Sequence, residues 1–265
     1  MRRLWLYIVI LFLYLPFLPI FLNSFANQRY ISFPPQGFTL EWYFTIPPRY
    51  WEALYNSLVL ALSTSVLALI LGTLAAVAID RSKMRYNHLF RTFFNVPLQV
   101  PNLVVGIILL QFYSGLAIVS PIALLGTFPG LLAAHVAFTT PYVINSVSSV
   151  LVHYNDDWDH AARTLGSTDG SLLRRVSFPI IAPGIMAGMF YVFTMSFGNV
   201  PVSLFLIGPD YSTLPITVFM DMQFNYHPSI LSISTIVMAL SFLLVWVGNR
   251  FIGFDTFMES QKLSQ

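Results

Sequence analysis

The chain has 265 residues, of which 56% are hydrophobic and only 9% charged. Soluble domains carry about 25% charged residues, so this composition cannot cover a water-facing surface and makes a lipid bilayer the expected solvent. There is no cysteine, which excludes disulfides, thiol nucleophiles and Cys-held metals. The net charge of +2 matters less than where the basic residues fall.

Charge-free windows run over Leu4–Gln28, Ala53–Ile79, Thr92–Asn155, Val176–Pro209 and Met222–Asn249. A helix needs about 20 apolar residues to cross the hydrocarbon. The third window is about three times as long as one crossing requires. Near its middle it holds Ser114-Gly115, Ser120-Pro121 and Gly126, which are turn signals, so it divides in two. The reading is an all-α membrane protein with a single transmembrane domain over 1–265. It is a bundle of six helices near 4–22, 53–79, 94–113, 128–151, 181–207 and 229–249.

The first run has a second reading, as a signal peptide, because Arg2-Arg3 precede it and Ser24-Phe25-Ala26 could be cleaved. Its apolar stretch is longer than the roughly 7–15 residues of a signal peptide's core, which favours an uncleaved span. The outer segment that follows holds Phe33-Pro34-Pro35, Trp42-Tyr43-Phe44 and Pro47-Pro48. It reads as an interfacial aromatic belt with turns, or as a docking surface for a partner.

With the N-terminus inside, the inner segments hold Arg2, Arg3, Arg81, Lys83, Arg85, Arg91, Arg163, Arg174, Arg175, Arg250 and Lys262, and the outer ones only Arg29 and Arg49. Basic residues accumulate on the cytoplasmic side, so both termini are expected there. The short basic loop Asp80–Arg91 suffices as a topology anchor near anionic lipid. Prolines stud the spans at Pro97, Pro101, Pro141, Pro183 and Pro201. Such kinks are tolerated in a membrane where neighbouring helices or water re-satisfy the backbone.

Between the fourth and fifth spans lies a polar loop, 153–179. Asn155 followed by Asp156, Asp157 and Asp159 predicts a capped helix start with acids opposing the dipole. Gly166 predicts its end. Thr168 predicts a second start, Arg174 and Arg175 its last turn, and Pro179 its stop. On the first helix, Trp158, Ala161, Ala162 and Leu165 share one face. That stripe is narrow and shallow, and so short a helix is marginal without something to pack against.

This loop resembles the EAA loop of permease subunits of binding-protein-dependent ABC importers. That pattern is Glu-Ala-Ala, three residues, Gly, nine residues, an apolar residue, one residue and Leu-Pro. Ala161-Ala162, Gly166, Val176 and Phe178-Pro179 reproduce the spacing, with His160 in the place of Glu and Phe178 in the place of Leu. The resemblance implies a bacterial inner-membrane subunit whose cytoplasmic coupling helix sits in a groove of a separate ATPase. Asp159, His160, Ala161, Ala162, Leu165 and Gly166 would form that contact. It further implies two ATPase subunits that bind ATP and Mg, a second permease subunit and an external solute-binding protein, with no catalysis and no cofactor in this chain itself. No Gly-x-x-x-x-Gly-Lys-Ser/Thr stretch occurs here, so the chain has no phosphate-cradling loop of that kind.

Phe33-Pro34-Pro35-Gln36-Gly37-Phe38-Thr39-Leu40-Glu41-Trp42-Tyr43, with Gly208-Pro209 and Leu214-Pro215, is similar to the polyamine-type permeases. Ser196-Phe197 is followed by Gly198-Asn199, where polyamine members often have acids. The cargo implied is a polyamine or another small polar solute.

The predicted spans contain no Asp, Glu, Lys or Arg. A secondary transporter is the alternative reading, and it calls for such groups at bilayer depth. A membrane-embedded enzyme would need a cluster of reactive groups there, and His135 stands alone in the sequence. It is favoured as a histidine bonded to a neighbouring helix over a proton or solute site. Ser196, Asn199 and Ser203 gather around a break in the fifth span. They are candidates either for helix-helix hydrogen bonding or for a solute pathway. Gly184 and Gly188, four apart, predict close helix packing.

Overall fold

The computed structural model describes residues 2–82, 87–209 and 211–252. Among them the chain is helical, with two isolated β-bridges and no longer strand. The described residues fall into two compact units, those within 1–52 and 217–265 forming one and those within 53–216 the other. Lys83, Arg85 and Lys262, three of the basic residues that orient the chain, lie outside the described residues.

In the first unit, α1 (Arg2–Tyr14) and α2 (Phe17–Asn23) meet at an angle of 49°. The sequence reading had one uninterrupted span here. Pro16 intervenes, and proline both lacks a donor and disfavours helix at the residue before it. After α3 (Glu41–Phe44), the Trp42 indole donates to the Ala26 carbonyl at 2.8 Å and stands edge-on to His227. Trp42 is therefore buried and closes its own loop, whereas Phe44 is 85% exposed. Trp42 thus has no place in the expected aromatic belt, its ring being held inside the loop.

The helix α4 (Pro48–Arg81) is 34 residues long. The third predicted span, 94–113, is broken in the structure, where α5 (Asn87–Gln99) ends and α6 (Asn102–Val119) begins around Pro101. Pro101 has ψ of 132°, and its ring steers Val100 away from the helical region.

The helix α7 (Phe128–Leu151) is the centre of the second unit. Thr127 caps it by accepting from the Gly130 amide at 3.2 Å. Two apolar clusters form on α7. One joins Ala68, Ala76 and Ile79 of α4 to Val143, Ile144 and Val147 of α7 and to Ile181 and Val192 further on. The other joins Leu60, Tyr113, Leu131, Ala134, Phe138, Val202 and Leu206.

The loop helices are α8 (Asp156–Thr164) and α9 (Asp169–Leu172). A π-helical turn over Leu173–Ser177 then leads without interruption into α10 (Phe178–Phe197). Pro179 was expected to stop this helix and does not. The π turn bonds Phe178 N–H to the Leu173 carbonyl, five residues back. Pro179 follows in the first turn of α10, where a missing donor is accommodated.

The buried side of α10 carries Ile181, Gly184, Gly188, Val192 and Ser196. A Cβ at Gly184 would lie 2.7 Å from the Ser146 carbonyl oxygen, and one at Gly188 would lie 3.2 Å from Val143 Cα. On the opposite flank, a Cβ at Gly72 would lie 2.6 Å from Val143 Cβ. Val143 of α7 is thus held between glycines of α4 and α10, the close packing expected of Gly184 and Gly188.

The fifth predicted span breaks at Gly198, resuming as α11 (Ser203–Leu206). The chain closes with α12 (Leu214–Phe224) and α13 (Ser229–Ile252). Three described helices are long and apolar enough to cross a bilayer: Pro48–Arg81, Asn102–Val119 and Asp169–Phe197. The bent pair α1–α2 makes a fourth if counted as one span. Of the other predicted spans, α7 has the length but carries His135, Thr139, Thr140, Asn145 and three serines, and the last lies within α13.

Candidate coupling site

The polar loop folds as its capping residues dictate. The Asn155 side chain accepts from the Asp157 amide at 2.9 Å and starts α8. Gly166, with φ of +83°, ends it. Without a Cβ, glycine adopts this left-handed conformation at no steric cost. Thr168 accepts from the Ser171 amide at 3.4 Å and starts α9.

The face predicted on α8 is only partly covered by the chain, through Trp158, which stands edge-on to Tyr154. Leu165 is 88% and Trp158 44% exposed. Ala161 is exposed, and Ala162 partly so. His160 is exposed as well. Arg163 pairs with Asp169 at 2.7 Å across Gly166, but both side chains are more than half exposed, where such pairs contribute little.

Asp159 behaves differently from its neighbours. Its Oδ1 accepts a hydrogen bond from the Tyr154 hydroxyl. Its Oδ2 faces Arg81 Nη2 at 3.5 Å. The same Arg81 nitrogen donates to Ser177 Oγ at 2.7 Å, and Tyr154 Oη is 3.2 Å from that oxygen. The Arg81 guanidinium also stands over the Tyr154 ring at 5.7 Å. Burial, and then the bond to Asp159, raise the Tyr154 phenol above its ordinary pKa, so it stays protonated as a donor. The sequence reading grouped Asp159 with the partner contact and treated Arg81 only as part of the basic loop. Their pairing was invisible because 78 residues separate them.

The profile of the family described as "Binding-protein-dependent transport system inner membrane component" matches residues 68–252. The chain is also 30% identical over 246 residues to the spermidine/putrescine transport system permease protein PotC of Escherichia coli (strain K12), a match covering 92% of this chain and 90% of PotC. The chain belongs to this family of inner membrane components.

It is a permease subunit of an ABC importer, similar also to the putrescine transport system permease protein PotI of Escherichia coli (strain K12), at 29% identity over 86% of this chain and 82% of PotI. The fold agrees. A bacterial alginate ABC transporter crystallised with its pentasaccharide-bound periplasmic protein superposes with a TM-score of 0.73 at 15% identity, covering 94% of this chain and 92% of that one. The MetNI methionine ABC transporter superposes at 0.62 with 14% identity, covering 77% and 96%.

The permease's second group of polar residues is internal. His135 is fully buried, with Nδ1 2.8 Å from Ser196 Oγ and Nε2 2.9 Å from Ser203 Oγ. An imidazole with one N–H meets both serines, donating to one and accepting from the other. Asn199 Oδ1 accepts from the amides of Val202 and Ser203 at 3.0 and 3.2 Å. Ser196, Asn199 and Ser203 are 3%, 5% and 0% exposed. The three candidate pathway residues thus lie together at the α10–α11 break, Ser196 and Ser203 bonded to His135 and Asn199 to the backbone of Val202 and Ser203, and the sequence alone could not place His135 there. A groove of about 720 Å³ between α4, α5 and α7 is lined by Leu71, Phe93, Phe94, Val96 and Pro97 among others, and no ionisable side chain lines it.

A further site lies in the first unit. Asp221, 7% exposed, accepts from the Tyr50 hydroxyl at 2.7 Å and pairs with Arg49 Nη2 at 2.9 Å. Its charge is matched locally and is not presented as a free cation site.

Proposed function

We propose that this permease forms one half of an ATP-driven solute pathway and receives its drive through α8. In this reading the chain crosses the membrane six times with both termini in the cytoplasm. It catalyses nothing itself. Two separate ATPase subunits bind ATP and Mg, a second permease completes the pathway, and an external binding protein delivers the solute. The observation that carries the reading is the exposed C-terminal part of the α8 face. A nine-residue helix, capped at its start and closed by Gly166, offers Leu165 at 88% exposure beside two alanines. So short a helix is marginal alone, and this face suits a shallow contact with another protein.

The proposed cargo is a polyamine or another small polar solute. Likeness to PotC and PotI supports the first. The self-contained bonding at His135, Ser196, Asn199 and Ser203, and the apolar groove, support a pathway that a second subunit must complete. The secondary-transporter alternative finds no support in the family assignment.

The test is uptake of labelled spermidine and putrescine into vesicles holding the reconstituted permease, its second permease, the ATPase and the binding protein. Uptake should need ATP inside and binding protein outside. Uptake by the permease alone, driven by an ion gradient, would refute the proposal.

A further inference from the structure

We propose that Asp159 and Arg81 are a positioning pair that fastens the coupling helix to the transmembrane helices, so that displacement of α8 reaches α4 and α10 without slack. This rests on the reading of α8 as the ATPase contact and says which residues do what within it.

The motif would place its acid at position 160, where this chain has an exposed histidine. The acid one place earlier is turned inward, with both oxygens engaged. The side chain of Asp159 is 19% and that of Arg81 37% exposed, so the pair is only partly screened by water. Arg81 closes the last turn of α4. Its one nitrogen is shared between α8, through Asp159, and the π turn at the foot of α10, through Ser177. Ser177 is 3% exposed. Tyr154, just beyond α7, bonds to the same two partners. Four side chains from four separate parts of the fold therefore meet at one point.

Besides this knot, α8 is held by Trp158, which stands edge-on to Tyr154; Leu165 is exposed, and the pairing of Arg163 to Asp169 faces solvent. A push on α8 can be transmitted through the polypeptide links on either side, which bend, or through this knot, which ties the helix directly to α4 and to the start of α10. His160 and the alanines are left to face the ATPase, while Asp159 faces inward.

The experiment uses the complete reconstituted importer and reads solute imported per ATP hydrolysed, together with ATPase retention on the purified permease. Asp159→Asn keeps the side-chain shape, and Arg81→Gln keeps a donor towards Ser177. Each should retain the ATPase and lower the import ratio several-fold. Tyr154→Phe should lower it less. The double variant Arg81→Asp with Asp159→Arg, which restores opposite charges, should recover part of the loss. An unchanged ratio in both single variants would overturn the proposal. So would loss of the ATPase from Asp159→Asn, because that would place Asp159 at the subunit contact. Ala162→Trp separates the two levels. If it fails to release the ATPase, the reading of α8 falls and this inference with it. If it releases the ATPase while the single variants keep a normal ratio, only this inference falls.

Discussion

Asn199→Leu distinguishes a residue that fixes the backbone from one that touches solute. The Asn199 carboxamide oxygen is the acceptor for two amides, Val202 N–H and Ser203 N–H, in residues that are fully buried. Leucine offers no acceptor. Each buried donor left unpaired costs about 1–3 kcal/mol, or about 2–6 kcal/mol for the two. The larger side chain, forced into a site that is 5% exposed, adds about 1–3 kcal/mol of overpacking. At about 2–4 °C per kcal/mol for a chain of this size, the apparent melting midpoint should fall by at least about 4 °C. The assay heats the detergent-purified permease and follows the soluble, folded fraction. Thr194→Leu is the comparison. Thr194 lies in the same span, is exposed, and its hydroxyl donates to the Phe190 carbonyl of its own helix, so its midpoint should barely move. If Asn199→Leu melts within about 1 °C of the parent while uptake collapses, the carboxamide serves the solute and the argument from backbone bonding is wrong.

Gly184→Leu should lose most folded permease, since its Cβ would lie 2.7 Å from the Ser146 carbonyl oxygen. Gly170→Leu, with open space around it, should accumulate normally; immunoblots of membranes compare the two. Gly166→Val strains a backbone held at φ +83° by about 1–2 kcal/mol, and Ala162→Trp fills the shallow face of α8. Both should leave the permease abundant yet reduce ATPase retention and the hydrolysis stimulated by loaded binding protein, measured on purified complexes. Because the chain has no cysteine, labelling is unambiguous. With an impermeant thiol reagent on intact cells, exposed Gln36→Cys should react and exposed Gly170→Cys should not, and the opposite pattern would reverse the topology.

Legibility followed the range of the interactions. The caps at Asn155 and Thr168 and the turn at Gly166 were readable because each is satisfied within four residues, and the Gly184–Gly188 contact because helical spacing puts both on one side. Breaks were harder to read. Pro16 and Pro101 each interrupt a run that composition alone joins, and the consequence depends on whether neighbours can absorb the missing donor. Pro179 shows the converse, since it sits inside a continuous helix because a π turn precedes it. The pairs Arg81–Asp159 and Arg49–Asp221, and the bonds from His135 to Ser196 and Ser203, bring together residues far apart in the chain. No local pattern of one sequence records them. Trp42 belongs to the same class. Its aromatic neighbours suggested a membrane surface, whereas its indole was bound to the Ala26 carbonyl 16 residues away.

The π turn bears on how this helix can change length. Leu172 and Ser177 are both buried, yet they stand five residues apart, whereas Ser177 and Ile181 are separated by four. In an unbroken α-helix a five-residue step points about 140° away from where it started, so Leu172 and Ile181 could not both look inward. The wider turn takes up the surplus residue and returns the two halves to phase. Removing one residue between Leu173 and Val176 would leave a four-residue step, which a plain α-helix accommodates with both sides still aligned. Adding one would exceed what a single wide turn absorbs. The segment should therefore tolerate losing a residue far better than gaining one, and lineages descended from such a chain should shorten here without disturbing the contacts of α10.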